Sequence, residues 1–248
     1  DSPYDFTIID MEHLEFDFPT LRHSLQYLPS RRRIAESGSL QPDVVPLVRV
    51  PPNAGELNQW VIKQTLDIGA YGIVLPHLST VEQARAAVAA MRYPRPGDPE
   101  GKGRGMRGWY PRHAARYWGL SIRQYYEAVE LWPVSPTGEL FLMPIVEDRQ
   151  GVKNLPAILK EVPGISAVWA GAGDLSVDLG HGANPKHPDV EAGVQAILRA
   201  CLDHDVPCCT IADASDVERR LDQGFRIIVA AAPKSHEALE RGRAHGGR

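Results

Sequence analysis

The sequence has few cysteines and no strong excess of charge of either sign. Three of its 248 residues are cysteine, at Cys201, Cys208 and Cys209, and no CxxC pair occurs. An odd number, with two residues adjacent, supports neither a disulfide framework nor a thiolate zinc site. The formal net charge is −4, from 27 basic and 31 acidic residues. This balance argues against nucleic acid as the main partner.

Long apolar runs are also missing. No run approaches the roughly 20 residues needed to span a bilayer, and the first five residues do not resemble a signal peptide. We therefore expect a cytoplasmic protein without a membrane partner. Because 43% of the 248 residues are hydrophobic, the chain is long enough for one large α/β domain, and we expect a single domain over residues 1–248.

Short apolar runs alternate with longer amphipathic stretches along the chain. Most of the short runs are apolar or β-branched throughout, which is typical of strands buried on both faces. The predicted strands are Phe6–Asp10, Val44–Val50, Gly72–Leu75, Leu140–Val146, Ile165–Ala170, Pro207–Ile211 and Phe225–Ala230. The predicted helices between them include Glu56–Ile68, Thr80–Met91, Glu191–His204 and Ser215–Gln223.

This alternation predicts a parallel sheet with crossover helices. Seven strands are one fewer than a (β/α)8 TIM barrel needs, and a doubly wound sheet is the alternative. Neither GxGxxG after the first strand nor GxxxxGK[ST] occurs, so a nucleotide-binding sheet has no support from its usual phosphate loop. Residues 93–138 form a long irregular excursion with a predicted helix at Ser121–Leu131. Such an excursion is usually functional or part of an interface.

Polar side chains follow several of the predicted strands. In barrels, the carboxyl ends of the strands form the active site. The first strand ends in the run DMEH, which contains His13, and Arg49 lies near the end of the second. Glu147 follows the fourth strand and Asp174 follows the fifth. Arg49 stands in an otherwise apolar run, and a buried arginine needs an anionic partner.

Glu147 and Asp174 offer hard oxygen ligands on successive strands. Such ligands suit Mg²⁺, Mn²⁺ or Co²⁺ better than a structural zinc. Gly171 and Gly173 would let backbone amides approach an anion closely. Each of these residues could instead have a purely structural role. Aspartates at strand ends often cap helices, and single histidines are more often packed in a core than catalytic. No lysine lies within a predicted strand, which argues against Schiff-base chemistry.

A series of segments along nearly the whole chain points to one known family. In order they are DFTIIDMEH (5–13), PLVRVP (46–51), LDIGAYGIVLP (66–76), EQA (82–84), RYP (92–94), Glu147 with GVKNL (151–155), GAGDLS (171–176) and HP (187–188). This ordered set resembles the HpcH/HpaI family of metal-dependent class II pyruvate aldolases. The set is more specific than any single motif within it.

The resemblance implies a reaction and a metal. An enzyme of this kind would cleave a 4-hydroxy-2-oxo acid into an aldehyde and pyruvate, or a close 2-oxo acid. It could also catalyse the reverse reaction. The 2-oxo acid would chelate a divalent cation, and the reaction would pass through an enolate held by that cation. Glu147 and Asp174 match the family's metal ligands. Mg²⁺, Mn²⁺ and Co²⁺ are the expected ions, and Zn²⁺ is compatible.

The resemblance also implies roles for other residues. Arg49 matches the arginine that binds the substrate and steadies the developing enolate oxygen. His13 matches the base, and Asp67 matches the carboxylate that orients or pairs with that histidine. For Asp10 and Glu12 we expect a structural or supporting role. The backbone that would bind the keto-acid carboxylate belongs to Gly171, Ala172 and Gly173.

The sequence departs from the family pattern in several places. The family's first strand and helix do not precede DFTIIDMEH, so we expect the first βα unit to be absent from this chain. Ile145 stands where the family has a glutamine, and His77 follows Pro76 where members commonly carry an apolar residue. The family is typically a trimer or hexamer, so we expect a homo-oligomer in which a last helix near Ser235–Arg243 is exchanged.

Two alternatives remain open. One is a CoA-thioester lyase of the citrate lyase β-subunit or malyl-CoA lyase type, although no clear nucleotide-binding surface is evident. The other is a non-catalytic barrel that kept the fold without turnover. The presence of His13, Arg49, Glu147 and Asp174 together favours an enzyme over a scaffold.

Overall fold

Seven parallel strands form one sheet in the computed structural model, which describes residues 3–28, 30–38, 42–52, 54–98, 104–230 and 235–247. The strands follow one another in chain order across the sheet, with no reversal. This order excludes the doubly wound alternative and confirms the predicted TIM-barrel-like fold. The strands are β1 (Phe6–Asp10), β2 (Val45–Arg49), β3 (Gly72–Leu75), β4 (Phe141–Val146), β5 (Val168–Ala170), β6 (Cys208–Ala212) and β7 (Ile227–Ala230).

Helices connect successive strands. They are α1 (Phe18–Tyr27), α2 (Arg31–Ser37), α3 (Gln59–Ile68), α4 (Val81–Met91), α5 (Arg112–Trp118), α6 (Ile122–Ala128), α7 (Arg149–Glu161), α8 (Ala172–Asp178), α9 (Pro188–Asp203), α10 (Val217–Gln223) and α11 (Glu237–His245). Within the described ranges, no helix is long and apolar enough to cross a membrane.

Two short helices, α5 and α6, lie in the described part of the excursion between α4 and β4. Helix α6 starts after the capping residue Ser121, as predicted, but it ends at Ala128. It stops short of the predicted Leu131 because that residue pairs with Leu140 in an isolated β-bridge beside β4. Helix α5, which the sequence analysis did not single out, packs against both α3 and α6.

Side chains fill both faces of the sheet, as a parallel sheet requires. One buried cluster lies inside the curl of the strands and includes Leu47, Val74, Met143, Ile145 and Trp169. A larger cluster lies between the strands and the surrounding helices. All three cysteines are buried and are not joined by disulfides.

The two edges of the sheet are β1 and β7. Among the described residues, β1 pairs only with β2, and β7 pairs only with β6. Their residues are half-buried, whereas those of β3 and β5 are fully buried. A groove of about 1390 Å³ lies between the two edges. Helix α11 borders this groove, and its Arg243 Nη2 donates to Asp5 Oδ1 over 2.9 Å.

The capping of α4 offers a test of how the sequence positions its helices. The Thr80 hydroxyl accepts from the Gln83 amide, and the Gln83 side chain accepts from the Thr80 amide. Removing the hydroxyl without changing the shape, in Thr80→Val, should lower the free energy of unfolding by about 1 kcal/mol. Thr80→Ser keeps the hydroxyl and should stay close to wild type in urea unfolding. Equal losses in both variants would contradict this account of the cap.

Candidate active site

Seven polar side chains gather at the carboxyl ends of β1 to β5. Each follows or ends a strand, because parallel strands bring these ends to one edge of the sheet. Three of them are on or just after β1, one ends β2, and the others follow β3, β4 and β5. They are Asp10, Glu12, His13, Arg49, His77, Glu147 and Asp174.

The register of β1 and β2 places Asp10 directly beside Arg49. Arg49 Nε donates to Asp10 Oδ1 over 2.9 Å, and Arg49 Nη2 donates to Asp10 Oδ2 over 2.5 Å. Partial burial opposes ionisation of Asp10, but these bonds and the amides of Glu12 and His13 outweigh it and lower its pKa. The anionic partner that a partly buried arginine requires is therefore Asp10, in bidentate geometry.

Glu12 lies at the centre of the group. Its Oε2 is 3.1 Å from Arg49 Nη1 and 3.4 Å from His13 Nε2, and its side chain is only 3% exposed. Burial raises the pKa of Glu12, while the charge of Arg49 acts in the opposite direction. Its other oxygen, Oε1, is 4.0 Å from His77 Nε2. Glu12 therefore connects the arginine with both histidines.

Arg49 retains binding capacity despite these contacts. A guanidinium has five N–H groups. Each of its three nitrogens contacts a carboxylate of Asp10 or Glu12. Each of the two terminal nitrogens therefore keeps a second N–H. The side chain is 20% exposed, so an anion at the sheet edge can reach it.

Glu147 is a buried carboxylate, and no arginine or lysine of the described residues lies within hydrogen-bonding distance of it. Its Oε1 accepts from the backbone amide of His77 over 2.7 Å. Burial outweighs this bond and, together with the nearby charges of Asp174 and Glu12, raises the pKa of Glu147 to about 8. Ligand atoms of Glu147, Asp174 and His77 all lie within 4.8 Å of one another. This donor set and its uncompensated negative charge fit a divalent cation.

The turn after β5 packs tightly against Glu147. A Cβ at Gly171 would lie 2.7 Å from the Glu147 Cβ, so only glycine fits there. The Gly171 amide already donates to Val146 O over 3.0 Å. At Gly173 the corresponding position is open. The amides of Ala172 and Gly173 belong to the first turn of α8 and have no acceptor within that helix, so they are better placed than Gly171 to bind a carboxylate.

Asp67 lies apart from this group. It is near the end of α3, which returns to the amino ends of the strands. Its Oδ1 accepts from Arg107 Nη2 over 2.8 Å and from Arg107 Nε over 3.1 Å. The polar contacts of His13 are instead with Asp10 and Glu12. Within one chain the expected pairing of Asp67 with His13 is not made, and the carboxylate that faces His13 is Glu12.

Two residues are more central than the sequence analysis expected. The sequence predicts a supporting role for Glu12, whose spacing from Asp10 places it on the same strand-end run. For His77 the sequence predicts no role beyond a departure from the family pattern. Its position beside Glu147 depends on the conformation of the turn after β3. The sequence alone therefore does not predict that His77 lies beside Glu147.

The fold and this site together define an enzyme of the α/β-barrel type, with carboxylates, an arginine and histidines at the carboxyl ends of parallel strands. Comparison with protein families defines the class of enzyme more closely. The profile of the HpcH/HpaI aldolase/citrate lyase family matches residues 2–236, and the chain belongs to this family. It is therefore a carbon–carbon lyase. The family is generally dependent on divalent metals.

Individual relatives agree with this assignment. The 5-keto-4-deoxy-D-glucarate aldolase of Escherichia coli O139:H28 is 30% identical over 230 residues, covering 92% of this chain and 77% of the relative. A family protein from Burkholderia cenocepacia is 28% identical with a TM-score of 0.73, covering 98% of this chain and 84% of the other. An aldolase from Desulfitobacterium hafniense, 24% identical with a TM-score of 0.71 and coverages of 98% and 82%, shares the fold.

The raised pKa of Glu147 predicts how pH affects the metal-free protein. Its ordinary pKa is 4.5, so folding favours the protonated form. The cost of ionising it is absent below about pH 4.5 and grows as the pH rises toward 8. In metal-free protein at pH 8, Glu147→Gln should therefore raise the free energy of unfolding by several kcal/mol, up to about 4. At pH 4.5 the gain should largely disappear.

Urea unfolding at the two pH values, after removal of metal with EDTA, measures this difference. Glu56→Gln is the matched control, because Glu56 is exposed and lies outside the site. The control should behave like wild type at both values. A Glu147→Gln effect of the same size at pH 4.5 and pH 8 would show that ionisation of this carboxyl is not the cause.

Proposed function

We propose that this chain is a divalent-metal-dependent aldolase for a 4-hydroxy-2-oxo acid, which it interconverts with pyruvate, or a close 2-oxo acid, and an aldehyde. The observation that carries the proposal is the grouping of Arg49, His13 and Glu12 beside the buried carboxylate Glu147 and its neighbour Asp174. The name of the Escherichia coli relative, a 5-keto-4-deoxy-D-glucarate aldolase, supports an oxidised sugar acid as the type of substrate.

Glu147 and Asp174 would hold the cation, with Mg²⁺, Mn²⁺ or Co²⁺ expected and Zn²⁺ compatible. Such an ion, when bound, acts as a Lewis acid that polarises the 2-oxo group and acidifies the adjacent carbon. The burial of Glu147 supports this role, because a buried carboxylate is most favourable when it faces a cation. Asp174 is exposed, which leaves room for the substrate beside it.

Arg49 would bind the oxygen on which negative charge develops. Its two uncommitted N–H groups supply fixed donors, and donors of this type contribute roughly 3–4 kcal/mol each to transition-state stabilisation in other enzymes. Asp10 holds the guanidinium in place through two bonds. The donors are therefore oriented before the substrate binds, and no reorganisation is needed during the reaction.

His13 would take the proton from the 4-hydroxyl group in the cleavage direction. The bond between carbons 3 and 4 then breaks, the aldehyde leaves, and the electron pair passes into the enolate of the 2-oxo acid. The exposed imidazole, with 61% of its side chain open to solvent, can reach a substrate at the sheet edge. Glu12 would orient the imidazole, since its carboxylate oxygen lies 3.4 Å from His13 Nε2.

The backbone amides of Ala172 and Gly173 would bind the carboxylate of the 2-oxo acid. The open space at Gly173 supports this, because an anion needs close approach to the backbone. The role of Gly171 would be to let the turn lie against Glu147, and its own amide would stay with Val146.

Exchange of the methyl protons of pyruvate tests the proposal directly. Deuterium incorporation, followed by NMR on EDTA-treated protein, should require added Mg²⁺, Mn²⁺ or Co²⁺. Glu147→Gln should abolish it, and Arg49→Met should slow it by about a hundredfold or more. Glu56→Gln should exchange at the wild-type rate. Folded protein that shows no exchange with any of these ions would overturn the pyruvate assignment, and cleavage of a CoA thioester would then indicate the alternative lyase reaction.

We also propose that the chain forms a homo-oligomer, a trimer or a hexamer. Large exposed aromatic side chains support this, because such groups often mark interaction surfaces. Trp60, Trp109 and Tyr110 are 54%, 60% and 55% exposed. Light scattering after size-exclusion chromatography should give three or six times the mass of one chain. A monomer at micromolar concentration would contradict this.

A further inference from the structure

We infer that His77 is a third protein ligand of the cation, and that its imidazole makes the site prefer Co²⁺ or Zn²⁺ over Mg²⁺. This inference rests on the proposed function in one respect, namely that Glu147 and Asp174 hold the ion. It goes further because it adds a nitrogen ligand and predicts which ions the site selects.

The position of the His77 ring fits coordination better than hydrogen bonding. His77 Nε2 lies 3.9 Å from Glu147 Oε1 and 4.0 Å from Glu12 Oε1. Both distances exceed those of a hydrogen bond. Two atoms that bind one transition-metal ion at about 2.0–2.2 Å can stand up to about 4.2 Å apart. The separation of Nε2 from Glu147 Oε1 therefore matches that of two ligands facing a common ion.

The backbone of His77 is held in an uncommon conformation. Its φ of +61° lies in the left-handed region, which few residues other than glycine adopt. The next residue, Leu78, donates its amide to Ile145 O over 3.1 Å, which ties the turn to β4. The His77 amide donates to Glu147 Oε1 over 2.7 Å. The same turn therefore orients Glu147 through the backbone of His77 and brings the ring of His77 to that carboxylate.

The ring is also accessible. Its side chain is 42% exposed, and within the described part of the chain its nearest charged groups are the carboxylates of Glu12 and Glu147. Neither is close enough to hold the imidazole in a direct ion pair with a hydrogen bond. An ion entering the site would meet Nε2 on the same side as the two carboxylates, because the three ligand atoms lie within 4.8 Å of one another.

The chemistry of the donor set determines which ions benefit. Mg²⁺ is bound through oxygen ligands and gains little from an imidazole. Co²⁺ and Zn²⁺ bind nitrogen well and stand above Mn²⁺ in the general order of affinities. Two carboxylates alone would suit Mg²⁺ and Mn²⁺, whereas two carboxylates with an imidazole favour Co²⁺ and Zn²⁺.

A second group of side chains that could bind a metal ion must be removed by mutation before any metal titration. Ligand atoms of His181, His187 and Asp189 also lie within 4.8 Å of one another, near the start of α9. His181 Nε2 is 2.9 Å from Asp189 Oδ2. These residues could take up a transition-metal ion in a titration, so all proteins compared should carry His181→Asn.

Calorimetric titration of the metal-free proteins with Mg²⁺, Mn²⁺, Co²⁺ and Zn²⁺ measures the selection. His77→Asn removes the imidazole, and asparagine tolerates a left-handed φ. We expect it to weaken binding of Co²⁺ and Zn²⁺ at least tenfold while changing Mg²⁺ affinity less than about threefold. His77→Gly, which relieves the backbone conformation, should show the same selective loss. Near-ultraviolet circular dichroism checks that each variant is folded.

Pulsed electron paramagnetic resonance of bound Mn²⁺ gives a direct signature of the ligand. Coupling to an imidazole nitrogen should be present in the parent and in His13→Asn, and absent in His77→Asn. Persistence of the coupling in His77→Asn, or unchanged Co²⁺ and Zn²⁺ affinities, would overturn the inference. An equal loss for all four ions would also overturn it, because the residue would then act only through the backbone.

Glu147→Gln separates failure of this inference from failure of the proposed metal site. If Glu147→Gln weakens all four ions while His77→Asn changes none, the carboxylates hold the ion and His77 is not a ligand. If Glu147→Gln leaves all four affinities unchanged, the ion does not bind at Glu147, and both the proposed site and the third ligand are wrong.

Discussion

An excess of negative charge at one edge of the sheet is the constraint on which the site depends. Four carboxylates, those of Asp10, Glu12, Glu147 and Asp174, gather there around the guanidinium of Arg49. Coulomb repulsion among them is strong because two of the four are buried. The arrangement relieves part of it by pairing Arg49 with Asp10 and Glu12, and the rest raises the pKa of Glu147. A dication would balance this remainder, so a cluster with this composition suits a divalent cation.

The pairing of Asp10 with Arg49 has two effects at once. It satisfies the charge of an arginine in an apolar strand, and it fixes the plane of the guanidinium by two parallel bonds. The side of the group that remains free then faces the sheet edge. The adjacent register of β1 and β2 makes this possible without any loop, so paired strands orient the donors.

Much of this architecture could be predicted from the sequence because the signals are local. The strands appear in the sequence as apolar runs because both faces of the sheet are covered. The helix starts at Thr80 and Ser121 could be predicted because these side chains accept hydrogen bonds from the first turn of their helices. Contacts that depend on how the chain turns could not be predicted in this way. The partner of Asp67 is Arg107, which lies 40 residues away in the excursion. His77 reaches Glu147 only because its backbone enters the left-handed region.

The strands that carry the site differ in how many neighbours hold them. Within the described residues, β4 and β5, which Glu147 and Asp174 follow, pair on both sides, whereas β1, which His13 follows, pairs with β2. Flanking strands fix the backbone of β4 and β5 through hydrogen bonds along both edges. The separation of the Glu147 and Asp174 backbones is therefore set by paired strands and the short turn after β5. A ligand that needs both carboxylates would meet a pair whose spacing is fixed before it arrives.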